Sequence, residues 1–192
     1  MKGNATDRAV PGEATMFGKR CGKMTARAWL SREAEQTSVI STLAVGVIAT
    51  LCYITVRILC GSPYRVMLEL GISDLIPPVW LFTLLHALAF FTAGCAAGFV
   101  LGYRPIGCAA EKYKGCMIYV LAAAMELCWY PTLFAGGLVF VALLVSILAM
   151  ALAVMTTVIF FRVSRFAGFL FVLHDVWVFS LLVLSFRIFL RN

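Results

Sequence analysis

Five long apolar runs, separated by short polar joints, occupy most of the chain between Val39 and Leu190. A helix needs roughly 20 apolar residues to cross a bilayer, and each run has about that length. Backbone groups inside lipid must satisfy their own hydrogen bonds, so each run should be helical. The sequence therefore predicts an all-α membrane protein built as a five-transmembrane-helix bundle. The predicted spans are residues 39–59, 77–101, 116–134, 138–161 and 166–189.

The composition agrees with this interpretation, because 62% of the residues are hydrophobic and the mean hydropathy is +0.97. The formal net charge of +7 arises largely near the N-terminus, where the first 35 residues hold seven of the sixteen Lys and Arg residues. We interpret residues 1–36 as a polar, basic tail and residues 37–192 as the transmembrane domain. The tail lacks the apolar core of a signal peptide. No motif for binding nucleic acid accompanies its charge, so nucleic acid is not an expected partner.

The distribution of Lys and Arg predicts the orientation of the chain. Twelve of these residues fall on the side of the predicted spans that includes the N-terminus, and four fall on the other side. Positive residues are retained in the cytoplasm, so the N-terminus should be cytoplasmic and the long first loop should face outward. We expect an integral, multi-pass protein of a bacterial plasma membrane, with the lipid bilayer as its first partner.

Four ionisable side chains stand out within the predicted spans. Glu126 and Asp175 are the acids inside them, and His86 and His174 are the histidines of the whole chain. A charge at the bilayer centre costs about 3 kcal/mol on insertion scales, so each acid should face the bundle interior and have a partner. Counting about 1.5 Å per residue from the ends of the spans places the groups at similar depth. They are expected to form one polar layer, serving as a ligand site, a proton relay or a structural cluster.

Aromatic side chains accompany this layer. Trp129 follows Glu126 by three residues, and Trp177 follows His174 by three, so each pair shares one face of its helix. Leu181 continues the face of Trp177. The candidate ligand-binding residues are Trp80, Leu84, His86, Glu126, Trp129, His174, Trp177 and Leu181.

A glycine ladder occupies the second span, where Gly94, Gly98 and Gly102 recur every four residues. Small residues at this spacing let a second helix approach closely, which is how spans associate inside lipid. The ladder predicts close helix packing, either within the bundle or across a homodimer.

Signals for catalysis and metal binding are weak. The seven cysteines show no CxxC pair and no Cys/His spacing typical of metal ligands. No serine lies in a nucleophile motif, and no glycine-rich phosphate loop is present. We therefore expect neither an enzyme nor a required cofactor, and no metal site.

Several short motifs follow one another along the chain. They are Pro77-Pro78-Val79-Trp80, Gly94, Trp129-Tyr130-Pro131 followed by Phe134, Val163-Ser164 and Trp177. In order and spacing they resemble the translocator protein family, also called tryptophan-rich sensory proteins or TspO/MBR proteins. The resemblance covers about residues 77–192, with weaker agreement in the first span. It implies a five-helix bundle with a pocket under the first loop, in a family that binds tetrapyrroles, sterols and benzodiazepine-type ligands.

The chain departs from the family pattern at several ligand-contact positions. His86 replaces a tryptophan, Glu126 and Ser185 replace asparagines, and Leu173-His174 replaces a Pro-Tyr pair. The Trp-Tyr pair of the first loop falls near Val66-Met67, and the tyrosine of the proposed cholesterol-recognition segment is Phe186. The resemblance thus implies that Glu126 and His174 supply the polar contacts that amide and phenol groups supply elsewhere.

The leading hypothesis is a translocator-type protein that binds a hydrophobic planar ligand, such as a tetrapyrrole or a sterol-like molecule, in an intrabundle pocket. It would act as sensor, carrier or scavenger, and porphyrin breakdown is the one reaction the resemblance suggests. A small proton-coupled transporter using Glu126, Asp175, His86 and His174 is the alternative. A purely structural role based on the glycine ladder is a third hypothesis.

Overall fold

The computed structural model describes residues 39–61, 66, 68, 77–103 and 109–192. Within these ranges the chain forms five α-helices, each long and apolar enough to cross a membrane. The helices are α1 (Val39–Leu59), α2 (Val79–Gly102), α3 (Ala109–Phe134), α4 (Val139–Val163) and α5 (Arg165–Arg191). The predicted all-α, five-span architecture is confirmed. The predicted basic tail, residues 1–36, and most of the first loop lie outside the described residues.

Local chemistry at the helix ends explains where the helices differ from the predicted spans. α3 begins at Ala109, before the apolar run that starts at Cys116, because Glu111 in its first turn suits the positive end of the helix dipole. Pro78 is the N-cap of α2. Ser164 is the N-cap of α5, where its hydroxyl accepts a hydrogen bond from the backbone N–H of Ala167 at 3.3 Å.

The helices form a ring of four with one helix added on the side. α2 packs against α5, α5 against α4, and α4 against α3, while a narrower contact between α3 and α2 closes the ring. α1 packs extensively against α2 and touches α3. Side chains from α2, α3 and α5 therefore meet in the centre, and α1 covers the seam between α2 and α3.

Two glycines of the ladder lie in the interface between α1 and α2. A Cβ atom added to Gly94 would lie 2.8 Å from the Cα of Gly46, and one added to Gly98 would lie 2.8 Å from the carbonyl oxygen of Ser41. Backbone therefore meets backbone here, which only glycine permits. Gly102 is partly exposed at the end of α2. The structure thus places Gly94 and Gly98 in packing within one chain.

Candidate ligand-binding site

A buried carboxylate bridges two histidines at the centre of the ring. Glu126 of α3 lies between His86 of α2 and His174 of α5. The Nε2 atom of His86 is 3.1 Å from Oε1 of Glu126, and Nε2 of His174 is 3.2 Å from Oε2. All three side chains are at most 2% exposed. We call these residues the His–Glu–His bridge; three of the four predicted layer residues belong to it.

The Glu126 oxygens and the histidine nitrogens lie at ion-pair distance, but some of their hydrogen-bonding capacity is unused. Neither Glu126 oxygen has a partner of good hydrogen-bond geometry among the described residues, because the imidazole N–H directions are poorly aligned. The Nδ1 atom of His86 also lacks a partner there, whereas the backbone of Ala89 lies beside the His174 ring. Each imidazole can carry a proton on either nitrogen, and the carboxylate accepts several hydrogen bonds. The bridge therefore has capacity for a polar ligand group or for additional protons.

Aromatic rings enclose the bridge on the α1 and α2 side. The ring of Tyr53 stacks on His86 with a centroid distance of 4.4 Å and an interplanar angle of 16°. Phe82 and Phe90, one turn before and after His86 on α2, lie 5.7 Å and 5.5 Å from its ring. These side chains are nearly fully buried. They exclude lipid and water from the imidazole, so charge within the bridge is weakly screened.

Trp129 faces the interior and ties α3 to α5. Its indole nitrogen donates a hydrogen bond to the hydroxyl oxygen of Ser185 at 2.7 Å, and that hydroxyl donates to the carbonyl oxygen of Leu181 at 2.8 Å. Leu181 is buried in the same apolar cluster. Trp129 and Leu181 therefore lie where the sequence predicted, and a serine satisfies the indole at a position where the family pattern has an asparagine.

Trp177 connects the bridge with an open groove on the surface of the bundle. Its ring lies 5.3 Å from that of His86 and 5.5 Å from that of Phe82. The indole nitrogen is buried and has no hydrogen-bond partner among the described residues. The groove lies between α2 and α5 and has a volume of about 250 Å³. Its lining consists of Leu85, Leu88, Ala89, Thr92, Leu173, Val176, Trp177 and Ser180.

Two predicted site residues lie elsewhere. Trp80 is 68% exposed and Leu84 is 57% exposed on the outer surface of α2. Leu84 precedes His86 by two residues, which turns the two side chains about 200° apart around the helix. Their assignment to the central site is therefore corrected: both contact the surroundings of the bundle. Trp80 lies in the first turn of α2, where an interfacial anchor is expected.

Asp175 also lies apart from the bridge, although the sequence placed it in the same layer. The hydroxyl of Thr157 on α4 donates a hydrogen bond to Oδ2 of Asp175 at 2.5 Å. Asp175 follows His174 directly, so its side chain points about 100° away around α5 and towards α4. The expected meeting of four groups is thus a bridge of three, with Asp175 in a neighbouring helix interface.

Sequence reasoning missed Tyr53, which supplies the closest ring to His86. Its signal in the sequence was that it is the only aromatic residue of the first span, and the sequence shows no partner for it. Within the described ranges, no group of three or more His, Cys, Asp or Glu side chains is arranged to hold a metal ion.

Comparison with known proteins agrees with the five-helix fold. A family model described as the TspO/MBR family matches residues 38–191. The match spans all five helices, including α1, where the sequence motifs agree less closely. A comparison with curated proteins finds no match to the chain.

Proposed function

Because the chain belongs to the TspO/MBR family, we propose that it binds a flat, largely apolar ligand of the tetrapyrrole class and acts as a sensor, carrier or scavenger of it. The observation that carries this proposal is the position of Trp177. Its ring forms one wall of the groove between α2 and α5 and also touches His86 of the bridge. A ligand bound there would lie against an aromatic ring that is itself in contact with the buried bridge.

The groove has the chemical character of a site for a lipophilic ligand. Such sites are mostly apolar, with a small number of polar groups that fix orientation. Here leucine, valine and alanine side chains form most of the walls, while Thr92 and Ser180 add two hydroxyls. Both hydroxyls already donate to backbone carbonyls of their own helices. They therefore offer acceptor oxygens to a ligand.

The size of the groove favours a ligand that is only partly enclosed. Its volume of about 250 Å³ is somewhat below the roughly 300–1,000 Å³ that is common for ligand pockets. A planar macrocycle would lie edge-first between α2 and α5, with the rest of its ring in contact with lipid. The unpartnered indole N–H of Trp177 would donate to a polar atom at the inserted edge.

The test is a titration of the purified full chain in detergent with protoporphyrin IX, monitored by absorbance and tryptophan fluorescence. We expect saturable binding with one ligand per chain. Trp177→Ala should weaken binding about tenfold or more, since it removes both the ring and the N–H donor. Trp80→Ala is the matched control, because this tryptophan lies on the outer surface of α2, and it should leave the Kd unchanged. Equal effects of both substitutions, or uptake that never saturates, would contradict the proposal.

The bridge itself favours a second candidate, a proton-coupled transporter. Carboxylate and imidazole groups in contact inside a membrane domain are the usual components of proton relays. In this alternative the bridge would change its protonation state during transport, and Asp175 would play a lesser role because it bonds to Thr157 instead. Flux of a weakly basic or anionic substrate in liposomes should depend on a proton gradient and should be abolished by Glu126→Gln. Flux that persists in Glu126→Gln would exclude this role.

A further inference from the structure

A set of hydrogen-bond donors without partners lies at the first-loop end of α1 and α3. The hydroxyls of Tyr53 and Tyr130 and the Nε atom of Arg57 are buried, and none has a hydrogen-bond partner of good geometry among the described residues, although the Thr83 side chain lies within reach of the Tyr53 hydroxyl. Both tyrosine side chains are 1% exposed. Buried polar groups are normally satisfied, so three such groups in one place need an explanation.

The three side chains are neighbours. Arg57 follows Tyr53 by one helical turn on α1, which places both on one face. The guanidinium carbon of Arg57 lies 5.7 Å from the ring centroid of Tyr130 on α3. The rings of Tyr53 and Tyr130 meet edge to face with a centroid distance of 6.3 Å. One small group placed beside the guanidinium would be within reach of these donors.

Arg57 has no carboxylate partner in the described part of the chain. The ion pairs there join Glu126 to the two histidines. The Nη1 atom of Arg57 donates to the carbonyl oxygen of Gly61, just beyond the end of α1, and this leaves the Nε edge of the guanidinium unused. Burial raises the pKa of the nearby Cys60 thiol, against the influence of the Arg57 charge, so this thiol is no thiolate counter-ion.

We propose that Arg57, Tyr53 and Tyr130 form a binding subsite for the carboxylate of a membrane-dissolved amphiphile. The Nε edge of an arginine presents N–H donors in the plane and spacing of a carboxylate, and the phenol hydroxyls add neutral donors. Ile54 and Ile58, on the outer side of the same helix turn, are exposed apolar residues along which an alkyl or ring body would lie. A carboxylate suits the enclosed phenol pair better than a bulky phosphodiester head group does.

This subsite is separate from the groove of the proposed function. α1 packs on the flank of α2 that carries Gly94 and Gly98, whereas the groove uses the flank that carries Leu85, Leu88 and Thr92. Because protoporphyrin itself carries carboxylates, the substitutions distinguish the two sites: Trp177→Ala tests the groove, and Arg57→Met tests this subsite. The two are tested with different probes.

The experiment compares dodecanoate with dodecanol, which share a chain and differ in the head group. Binding to the purified full chain is measured by native mass spectrometry from detergent, at mildly alkaline pH. Dodecanoate should bind about tenfold more tightly than dodecanol or better, as expected for charge-assisted hydrogen bonds. The preference should disappear in Arg57→Met, shrink in Arg57→Lys, which keeps the charge but loses the Nε edge, and shrink in Tyr130→Phe.

Arg162→Met is the matched control, since this exposed arginine lies at the end of α4 on the opposite face of the bundle. It should retain the preference for dodecanoate. Equal binding of dodecanoate and dodecanol would overturn the inference; this is the result expected if an acid of the first loop, such as Glu69 or Asp74, occupied the guanidinium. A preference that survives in both Arg57→Met and Tyr130→Phe would also overturn it. Displacement of dodecanoate by phosphatidylglycerol at equal concentration would reassign the subsite to phosphate head groups.

Discussion

The indole nitrogen of Trp129 lies 2.7 Å from the hydroxyl oxygen of Ser185, and both residues are buried. This contact joins α3 to α5 across the centre of the ring. A hydroxyl is sufficient because Ser185 can accept from the indole and still donate to the carbonyl of Leu181. The pair fixes the orientation of α3, and thereby the direction in which Glu126 points.

Ser185→Ala should lower the free energy of unfolding by about 1–3 kcal/mol, because it leaves a buried indole N–H without an acceptor. The measurement is reversible denaturation of the detergent-solubilised protein. Ser180→Ala is the control, since Ser180 also donates to a carbonyl one turn earlier on α5 but is exposed. Equal destabilisation by both substitutions would show that the indole contact contributes nothing.

Glu126→Leu should lower the unfolding free energy by about 3–5 kcal/mol, because removing one member of a buried charged pair leaves the others uncompensated. Glu111→Leu at the exposed start of α3 should cost at most about 1 kcal/mol, since it removes only a favourable charge near the N-terminus of the helix. A double-mutant cycle between Glu126→Gln and His174→Gln should give a coupling energy of about 0.5–3 kcal/mol. Strict additivity in that cycle would rule out the described contact.

Gly98→Leu should destabilise the packing of α1 on α2 without altering the oligomeric state. A Cβ atom at Gly98 would already lie 2.8 Å from backbone atoms of α1, so a leucine forces the helices apart. Thermal stability in detergent and sedimentation of the same samples measure the two effects. Ala151→Leu on the exposed face of α4 is the control and should be tolerated. Loss of a dimer at unchanged stability would instead support a homodimer interface.

Thr157→Val should destabilise the α4–α5 interface by about 1–3 kcal/mol, because it removes the hydroxyl donor of a half-buried carboxylate. Combining it with Asp175→Leu should recover much of that loss, since replacing both polar partners by apolar groups is often close to neutral. Chemical unfolding of the two single variants and the double variant decides this. A double variant as unstable as the sum of the single variants would count against the described bond.

The sequence was sufficient to predict the five helices because the bilayer imposes a length and an apolar composition that can be read directly. The depth of a side chain in the bilayer was predictable for the same reason, because each residue adds a fixed rise along the helix axis. That count placed His86, Glu126 and His174 at one level, and the structure brings them together. Rotation about each helix axis was not predictable in this way. The rotation depends on which helices are neighbours. For this reason the sequence did not predict that Trp80 and Leu84 face outward or that Asp175 contacts Thr157.

Tyr53 is a site residue that sequence reasoning missed for a related reason. Thr42, Gly46, Thr50, Tyr53 and Arg57 recur at helical spacing and mark one face of α1, but the sequence does not tell which helix that face meets. The contact of Tyr53 with His86 arises because Gly46, Gly94 and Gly98 bring the backbones of α1 and α2 close together. Gly94 and Gly98 were recognised in the sequence, but Gly46 and the side chains that this close approach brings into contact were not.

The groove beside Trp177 opens sideways between α2 and α5, along surfaces that present leucine and valine to their surroundings. A compound arriving by that route is drawn from the bilayer and not from the aqueous phase. The occupancy of the groove would then depend on the mole fraction of the compound in the lipid. The apparent affinity of the site would therefore vary with membrane composition and with the amount of lipid supplied.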